Sequence, residues 1–592
     1  MDQINPAPHE IFRFVMIKPT HYDDDGYPVL WWRSLIPSNS LAAINGLLLD
    51  AAQRQVLGPN VEIRGMAIDE PNTRIRPDRL IRELKAAGGR AAIAFVGVQS
   101  NQFPRAVDLA RPFLAAGFPV VIGGFHVSGC LAMLKERPAE LVAAQEMGIS
   151  LFAGEAEEGR LDEVLRDAYA GRLKPLYDHM ADLPSLEGAP TPFLPVDTLK
   201  GTRNEFSSFD LGRGCPFQCS FCTIINVQGR KSRFRTADDL EKIIRSNWAQ
   251  GIRKFFITDD DLARNKNWEA FFDRMIELRK ELNVRLEIFV QVDTGCHRIP
   301  GFIDKAVAAG VTRVFIGLEN INPDNLLHVA KRHNKITDYR AMLQQWWRHG
   351  IAIYAGYIIG FPADTKEKIL RDIEIIKREL PVNVLEFFFL TPLPGSADHK
   401  AHVEGGRWMD PDLNKLDLFH RMVHHPVMSD REWEEAYHAA WRTFYDWDHI
   451  ETMSRRGAAS PKKGMNIDEI IEFYSMYAVE RLHPLEGGIL RKRHRRDRRP
   501  GMPLANPLLF YPAYAIETVV KMARFAWYYG RAALIHRRVH ADPNRRAYTD
   551  VALTPPTAEE FAELGLFTET SGADAAIRRK QLQESLSLPK TG

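Results

Sequence analysis

The chain has 592 residues, too many for one hydrophobic core, and 45% of them are hydrophobic, so two or three globular domains are expected. Its 78 Lys and Arg residues nearly balance 76 Asp and Glu residues, and this formal net charge of +2 gives no chain-wide reason to expect a nucleic-acid partner. The five cysteines are too few for a disulfide framework, the start lacks a signal-peptide pattern, and no apolar run reaches membrane-spanning length, so we expect a cytoplasmic protein.

In chain order, residues 1–10 are predicted to be a flexible tail, and strands then alternate with helices. Strands are predicted at 11–18, 91–98 and 119–122, and helices at 41–55, 79–87 and 104–116. This alternation is typical of a doubly wound parallel sheet, so residues 11–175 are predicted to form a Rossmann-like α/β domain. Residues 176–205, which are rich in proline, are predicted to be a linker.

A second α/β series is predicted over residues 206–398. Its strand-like runs, separated by helical patterns, are 208–212, 254–258, 286–292, 313–318, 351–359 and 384–390. Six βα units form a partial or full TIM-type barrel, and the carboxyl ends of its strands are where a site is expected.

The remaining chain is predicted to be helical. Residues 399–500 form a helical extension that ends in the basic run Arg491–Arg499, which contains seven Arg or Lys. Residues 501–592 hold an amphipathic helix, 511–533, and a polar tail expected to fray from about Thr570. The basic run beside this helix predicts peripheral contact with an anionic membrane; the alternative is a solvated loop next to a helix docked on the barrel.

Three cysteines stand close together directly after a predicted strand. Cys215, Cys219 and Cys222 have C-x3-C-x2-C spacing. Three thiolates can hold three irons of a cubane and leave the fourth open, whereas most electron-transferring [4Fe–4S] sites have four Cys ligands. The alternative is a structural zinc site, but no His lies nearby at finger spacing. The triad therefore predicts a catalytic iron–sulfur cluster.

The segment RGCPFQCSFC, residues 213–222, resembles the cluster loop of the radical S-adenosylmethionine (SAM) superfamily. In that family the open iron chelates SAM, and one electron from the reduced cluster cleaves SAM to methionine and a 5′-deoxyadenosyl radical. The resemblance implies a [4Fe–4S] cluster, SAM, and an electron donor such as flavodoxin or ferredoxin.

The ends of later barrel strands resemble the SAM-binding elements of the same family. The residues concerned are Asp259, Asp260, Gln291, Asp293, Glu319 and Gly356. Carboxylates at strand ends can accept hydrogen bonds from a ribose diol or an ammonium group. The alternatives are a helix N-cap for one of the aspartates and a packing role for the glycine.

Two N-terminal segments resemble the cobalamin-binding domain of one branch of the superfamily. They are residues 121–126, with Gly123 and Gly124, and residues 152–157, with Gly154. The D-x-H-x-x-G motif that supplies a cobalt ligand elsewhere is absent, but several members of the branch lack it, so cobalamin is still expected. His21 is interpreted as an ordinary polar loop residue. The alternative is a doubly wound domain that has lost its cofactor.

This branch includes methyltransferases, hopanoid methylases and the anaerobic magnesium-protoporphyrin ester cyclase. The resemblance therefore implies a cobalamin-dependent methyltransferase acting on an unactivated carbon of a small or lipid-like substrate. A cyclase or rearrangement enzyme is the alternative, and a non-catalytic iron–sulfur protein is a more remote one. Cys130 and Cys296, outside the triad, are too few for the second triad of methylthiotransferases, and Cys296 is interpreted as a small buried hydrophobe.

Overall fold

The computed structural model describes residues 10–203, 205–462, 464–557 and 559–587. The flexible tail predicted for residues 1–10 therefore lies outside the described residues except for Glu10, which begins the first strand.

The N-terminal region alternates strands and helices as the sequence predicts. Its elements are β1 (Glu10–Lys18), β2 (Leu30–Ser34), α1 (Asn39–Gln53), β3 (Val61–Asp69), α2 (Pro77–Ala86), β4 (Ala91–Phe95), α3 (Phe103–Ala115), β5 (Val120–Gly123), α4 (Phe125–Met133), α5 (Ala139–Glu146), β6 (Ser150–Ala153), α6 (Arg160–Tyr169) and β7 (Leu176–Asp178). Six strands form a parallel sheet in the order β3-β1-β4-β5-β6-β7. Every residue of β4 is buried, because helices cover both faces of the sheet.

Three strands of this sheet were not predicted, namely the edge strands β3 and β7 and the short buried strand β6. The alternating exposure of β3 gives no continuous apolar run, and its pairing with β1 holds it in the sheet. The three residues of β7 fall in the segment predicted as a linker, where they pair with β6. Strand β3 is too polar, and β6 and β7 are too short, to be recognised without their partners.

The barrel region contains every strand predicted for it. Its elements are α7 (Val196–Leu199), β8 (Phe206–Phe209), β9 (Gly212–Arg213), α8 (Ile224–Val227), β10 (Arg233–Phe234), α9 (Ala237–Ala249), β11 (Lys254–Ile257), α10 (Trp268–Glu281), β12 (Glu287–Val292), α11 (Phe302–Ala309), β13 (Val311–Glu319), α12 (Pro323–His328), α13 (Ile336–Arg348), β14 (Ala352–Ile359), α14 (Lys366–Glu379), β15 (Val384–Phe389) and α15 (Ala397–Glu404). The parallel sheet has the order β15-β14-β13-β12-β11-β8, so β15 and β8 are the edges of a partial barrel.

The C-terminal region is largely helical and contacts both preceding regions. It comprises α16 (Asp430–Phe444), α17 (Trp447–Ala459), α18 (Ile467–Ser475), β16 (Gly488–Lys492), α19 (Pro507–Ala541), α20 (Glu560–Glu563), α21 (Gly565–Thr568) and α22 (Ala573–Ser587). Strand β16 pairs antiparallel with β2 and so joins this region to the N-terminal domain. The frayed tail predicted from Thr570 is wrong for residues 573–587, since α22 packs on α13 through Ala573 and Ile577.

Candidate active site

The cysteine triad lies on a loop that backbone hydrogen bonds hold in place. The loop opens at Gly214, whose φ of +88° and close approach to the Lys231 carbonyl, 2.7 Å from an added Cβ, require glycine. The Cys215 amide donates to the Gly229 carbonyl at 3.2 Å, and the Cys222 amide donates to the Cys219 carbonyl at 3.2 Å. The short strands β9 and β10 pair on either side of this loop.

The donor set fits an iron–sulfur cluster better than a single zinc ion. Burial raises the pKa of Cys215 and of Cys222 to about 12, and the Asp260 carboxylate adds to both shifts. A bound metal centre would offset this cost by stabilising the thiolates. Tetrahedral zinc with Zn–S bonds of about 2.3 Å would bring the sulfur atoms within about 4 Å of one another. In the described part of the chain, the three triad sulfur atoms do not all lie within 4.8 Å of one another, so the loop is not drawn together around a single ion.

Arg213 connects the cluster loop to the N-terminal domain. Its guanidinium contacts Glu155 and Glu157 at 2.7 Å each and Asp210 at 3.1 Å. Arg233, across the β9–β10 pair, also contacts Glu155 at 2.9 Å. All three carboxylates are buried. The segment predicted to resemble a cobalamin-binding element therefore also docks its acidic residues on the cluster loop, a role that sequence reasoning missed.

Asp259 and Asp293, two buried residues of the predicted SAM site, accept hydrogen bonds from neighbouring residues of the barrel. Asp259 accepts from the Leu211 amide at 2.6 Å and from the Asn265 side chain at 3.0 Å. Asp293 accepts from the Gly295 amide at 2.6 Å and pairs with Arg264, whose Nη2 lies 2.9 Å away. These contacts shape the loops at the strand ends.

Two other predicted residues near the strand ends keep more open side chains. The Asp260 side chain reaches the surface, but burial among its neighbours and the Asp259 carboxylate raise its pKa to about 7, and its charge in turn raises the pKa of Cys215 and Cys222. The Gln291 side chain is half-buried, and its amide donates to the Asp259 carbonyl at 3.4 Å. Asp260 is therefore the predicted carboxylate best placed to meet a group bound at the cysteines.

Glu319, Gly356 and the unpredicted Lys331 meet beside the triad. Glu319 has a left-handed φ of +61°, which is uncommon for a non-glycine residue, and pairs with buried Lys331. Burial alone would lower the pKa of Lys331, but Glu319 and the nearby Cys219 raise it above its usual value. A Cβ on Gly356 would lie 3.1 Å from the Phe315 ring but 3.8 Å, an ordinary contact distance, from the Glu319 carboxylate, so the glycine makes room chiefly for Phe315.

A cavity of about 740 Å³ lies between the N-terminal sheet and the barrel. On the N-terminal side, its wall includes Lys18, which ends β1, and Gly97, which follows β4. The strand order reverses between β1 and β4, which is where open α/β sheets bind ligands. Lys18 donates to the Gly97 carbonyl at 2.6 Å, and burial lowers its pKa to about 8. On the barrel side, the wall includes Cys222 and Glu319.

The three glycines predicted for the N-terminal domain pack tightly behind this cavity. A Cβ on Gly124, where φ is +148°, would lie 2.1 Å from the Val98 amide nitrogen. A Cβ on Gly123 would lie 3.2 Å from Phe152, and one on Gly154 would lie 2.9 Å from the His179 carbonyl oxygen. Among the described residues, none of the three is part of the cavity wall, but Phe125, next to Gly124, is. Close packing, as much as ligand approach, therefore requires these glycines.

His21 also lies on the cavity wall, although the sequence suggested an ordinary loop residue. The side chain is 3% exposed, and its Nε2 lies 3.4 Å from the Glu486 carboxylate. Burial lowers the pKa of His21 to about 4, so the imidazole is neutral at physiological pH. In the sequence, only the position of His21 shortly after β1 pointed to a place on the wall of a ligand site. Its partner Glu486 lies in the C-terminal region, where the sequence shows no chemical pattern.

Glu386 is a second residue that the sequence did not single out. It lies on β15 in register with Gly356 of β14, so both face the barrel interior. The side chain is buried, its Oε2 has no hydrogen-bond partner among the described residues, and burial raises its pKa to about 8. The carboxyl group is therefore largely protonated near neutral pH and can donate a hydrogen bond into the barrel.

This buried carboxyl group makes stability depend on pH. Unfolded Glu386 ionises near its ordinary value of 4.5, whereas the folded group ionises near 8, so folding stability should fall as pH rises between these values. We expect Glu386→Gln, which cannot ionise, to gain a few kcal/mol relative to wild type between pH 5 and pH 8.5. Urea unfolding of both proteins at several pH values measures this difference. The control Glu404→Gln, at an exposed site, should leave the pH dependence of the unfolding free energy unchanged. If the unfolding free energy of Glu386→Gln fell with pH in parallel with wild type, Glu386 would not be the buried group that ionises.

The chain is similar in sequence to known radical SAM proteins. Residues 210–376 match the radical SAM superfamily. The bacteriochlorophyllide d C-8(2)-methyltransferase of Chlorobaculum tepidum is 25% identical over 67% of this chain and 88% of its own length. The hopanoid C-2 methylase of Rhodopseudomonas palustris is 23% identical over 44% of this chain and 51% of its own.

A solved structure extends the likeness beyond the barrel. The methyltransferase TsrM from Kitasatospora setae, determined with cobalamin and a [4Fe–4S] cluster bound, aligns with a TM-score of 0.54 and 16% identity. The alignment covers 77% of this chain and 98% of TsrM. At this identity, the likeness establishes a shared fold.

Proposed function

We propose that this chain, a radical SAM enzyme whose radical SAM domain spans residues 210–376, is a cobalamin-dependent methyltransferase acting on an unactivated carbon. The central cavity carries the proposal, because the carboxyl ends of two parallel sheets face each other across it. One wall holds a cysteine of the triad, and the opposite wall is the switch point of the doubly wound sheet. Two cofactors and a substrate would meet in this space.

Cys215, Cys219 and Cys222 would hold the [4Fe–4S] cluster, which when reduced supplies the electron that cleaves a carbon–sulfur bond of SAM. The chain's own residues would then orient SAM beside the cysteines. Lys331 offers an ammonium group to a carboxylate, and Asp260 offers a carboxylate to an ammonium group. An electron donor such as flavodoxin or ferredoxin would reduce the cluster.

The N-terminal wall of the cavity fits cobalamin, which when bound would supply a carrier for the methyl group. Gly97, with a φ of +60°, lines this wall, and a Cβ there would lie 2.4 Å from the Ser40 side chain. Ser100 and Asn101 add polar groups to the same wall, and His21 adds a neutral imidazole. The methyltransferase relatives and the two-domain fold shared with TsrM support this cofactor.

Much of the remaining cavity wall is apolar. Its wall contains large apolar side chains from both domains, including Trp31, Phe221, Phe388, Leu390 and Leu485. Such a wall favours an apolar ligand and keeps water from the reacting groups. We therefore propose a small or lipid-like substrate with a substantial apolar surface.

A product analysis tests this function. Protein purified with added hydroxocobalamin should carry about one corrin per chain, and after reduction with dithionite it should convert SAM to S-adenosylhomocysteine. The variant in which all three triad cysteines are Ala is the matched control, because it should retain corrin but form no product. Formation of 5′-deoxyadenosine alone, without bound corrin, would favour a cyclase or rearrangement enzyme. Formation of neither product would indicate a non-catalytic iron–sulfur protein.

We also propose a cytoplasmic location, which suits three reduced thiols, and peripheral contact with a membrane. The basic run Arg491–Arg499 alone does not support this contact. Arg491 and Arg493 both pair with Asp23, and Arg499 pairs with Asp412. These ion pairs engage three of the seven basic residues of the run, so the main support for membrane contact comes from the helix that follows it.

A further inference from the structure

The amino-terminal half of helix α19 directs its charged side chains toward the rest of the protein. Glu517 contacts Arg493 at 3.0 Å and Lys521 at 2.8 Å. Lys521 also contacts buried Glu480 at 2.7 Å, and Arg524 donates to the Ala478 carbonyl at 2.7 Å. This polarity is the reverse of that of a surface helix, whose charged face ordinarily points to water.

The outward face of the same helix is apolar. Seven large apolar residues have exposed fractions between 51% and 81%. They are Leu508, Leu509, Ile516, Val519, Val520, Trp527 and Leu534. At helical spacing these side chains fall within an arc of about 120°, and they extend along most of the helix. A continuous exposed apolar surface of this kind marks a contact site.

The charges around this face favour an anionic partner. Of the five Lys or Arg in the helix, Arg531, Arg537 and Arg538 are exposed toward its carboxyl end, whereas its one acidic residue, Glu517, is paired inward. Two copies of the chain packed through this face would bring like charges together, which is unfavourable. An anionic lipid surface complements both the apolar face and its basic surroundings. In the described part of the chain, no helix is long and apolar enough to cross a membrane.

We propose that α19 lies in the surface of an anionic bilayer, with its apolar face inserted among the lipids. The helix also contributes Val520, Lys521 and Arg524 to the wall of a second cavity of about 510 Å³. That cavity shares His21 and Asp417 with the central cavity. The docked face therefore lies next to a cavity that adjoins the one lined by Cys222. Docking itself does not depend on the proposed methyl transfer.

Flotation of the full chain with vesicles tests the proposal without any cofactor. Recovery with phosphatidylcholine–phosphatidylglycerol vesicles at low salt should exceed recovery with phosphatidylcholine alone by at least about tenfold, and salt should reduce it. The variant Ile516→Gln/Val519→Gln/Trp527→Gln should lose at least about tenfold of this recovery. The matched control, Trp248→Gln/Val403→Gln/Val427→Gln, changes exposed apolar residues elsewhere and should bind like wild type.

Circular dichroism checks that the helix variant is folded; if it is not, Leu508→Gln/Leu509→Gln replaces it. Equal recovery with both vesicle types, or recovery with neither, would overturn the proposal. The same holds if a folded variant of the apolar face floats like wild type. Light scattering without lipid measures the oligomeric state of wild type and of the helix variant. If wild type were a dimer, the helix variant a monomer, and neither bound vesicles, the apolar face would instead bind a second copy of the chain.

Discussion

Replacing Cys215, Cys219 and Cys222 together by Ala should reduce the iron content after anaerobic reconstitution from about four atoms per chain to nearly none. SAM cleavage should fall below detection, because no other described group can hold the cluster beside Lys331 and Glu319. Iron analysis and the absorption spectrum with and without SAM measure the loss. A single replacement should also weaken binding strongly, because each cysteine would ligate one iron.

The matched control is the double variant Cys130→Ala/Cys296→Ala. Both thiols are buried and lie outside the cluster loop, Cys130 in α4 and Cys296 after β12, so neither is expected to ligate the cluster. This variant should keep its iron and its spectral response to SAM. A triple variant that bound as much iron as wild type would refute the cluster assignment.

The barrel could be predicted from the sequence because buried parallel strands are nearly continuous apolar runs. Strand β15, with the sequence VLEFFF, and β14, with AIYAGYII, are almost wholly buried and easily recognised. Strand β3 alternates polar and apolar residues, and its pairing with β1 determines its structure. The apolar pattern therefore identified the barrel strands, including the edges β8 and β15, and missed the polar strand β3 and the short strands β6 and β7.

The candidate site was predictable where its chemistry is local in sequence. The triad spans eight residues and lies on one loop, as its spacing indicates. Asp259 lies at the predicted strand end, but its carboxylate bonds to the Leu211 amide, so position alone did not reveal its role. Asp260 and Glu319 remain predictions as contacts of SAM.

Contacts between distant segments could not be predicted. Glu155 meets Arg213 across 58 residues, and His21 meets Glu486 from the opposite end of the chain. The direction of α19 presented the same difficulty. Its pattern indicated an amphipathic helix, but only the contacts of Glu517 and Lys521 show that the charged face is the inner one.

Arg213→Ala should destabilise the protein by about 3–5 kcal/mol, because it leaves buried carboxylates without their principal cation. Glu155, Glu157 and Asp210 all contact this guanidinium, and Arg233 compensates only the first of them directly. Arg213→Lys should have a smaller effect, since it restores the charge without the forked geometry. Urea unfolding measures both variants against wild type.

The Arg213 contact should also affect the cluster, since Arg213 precedes Gly214 and Cys215 and holds their loop against the N-terminal domain. We expect reconstituted Arg213→Ala to lose iron faster than wild type when challenged with a chelator, while its three cysteines remain intact. The control is Arg79→Ala, which removes an exposed Arg–Glu pair in α2 and should change neither stability nor iron retention. If Arg213→Ala unfolded at the same urea concentration as Arg79→Ala and retained iron equally well, the buried ion pairs would have no role in joining the two domains.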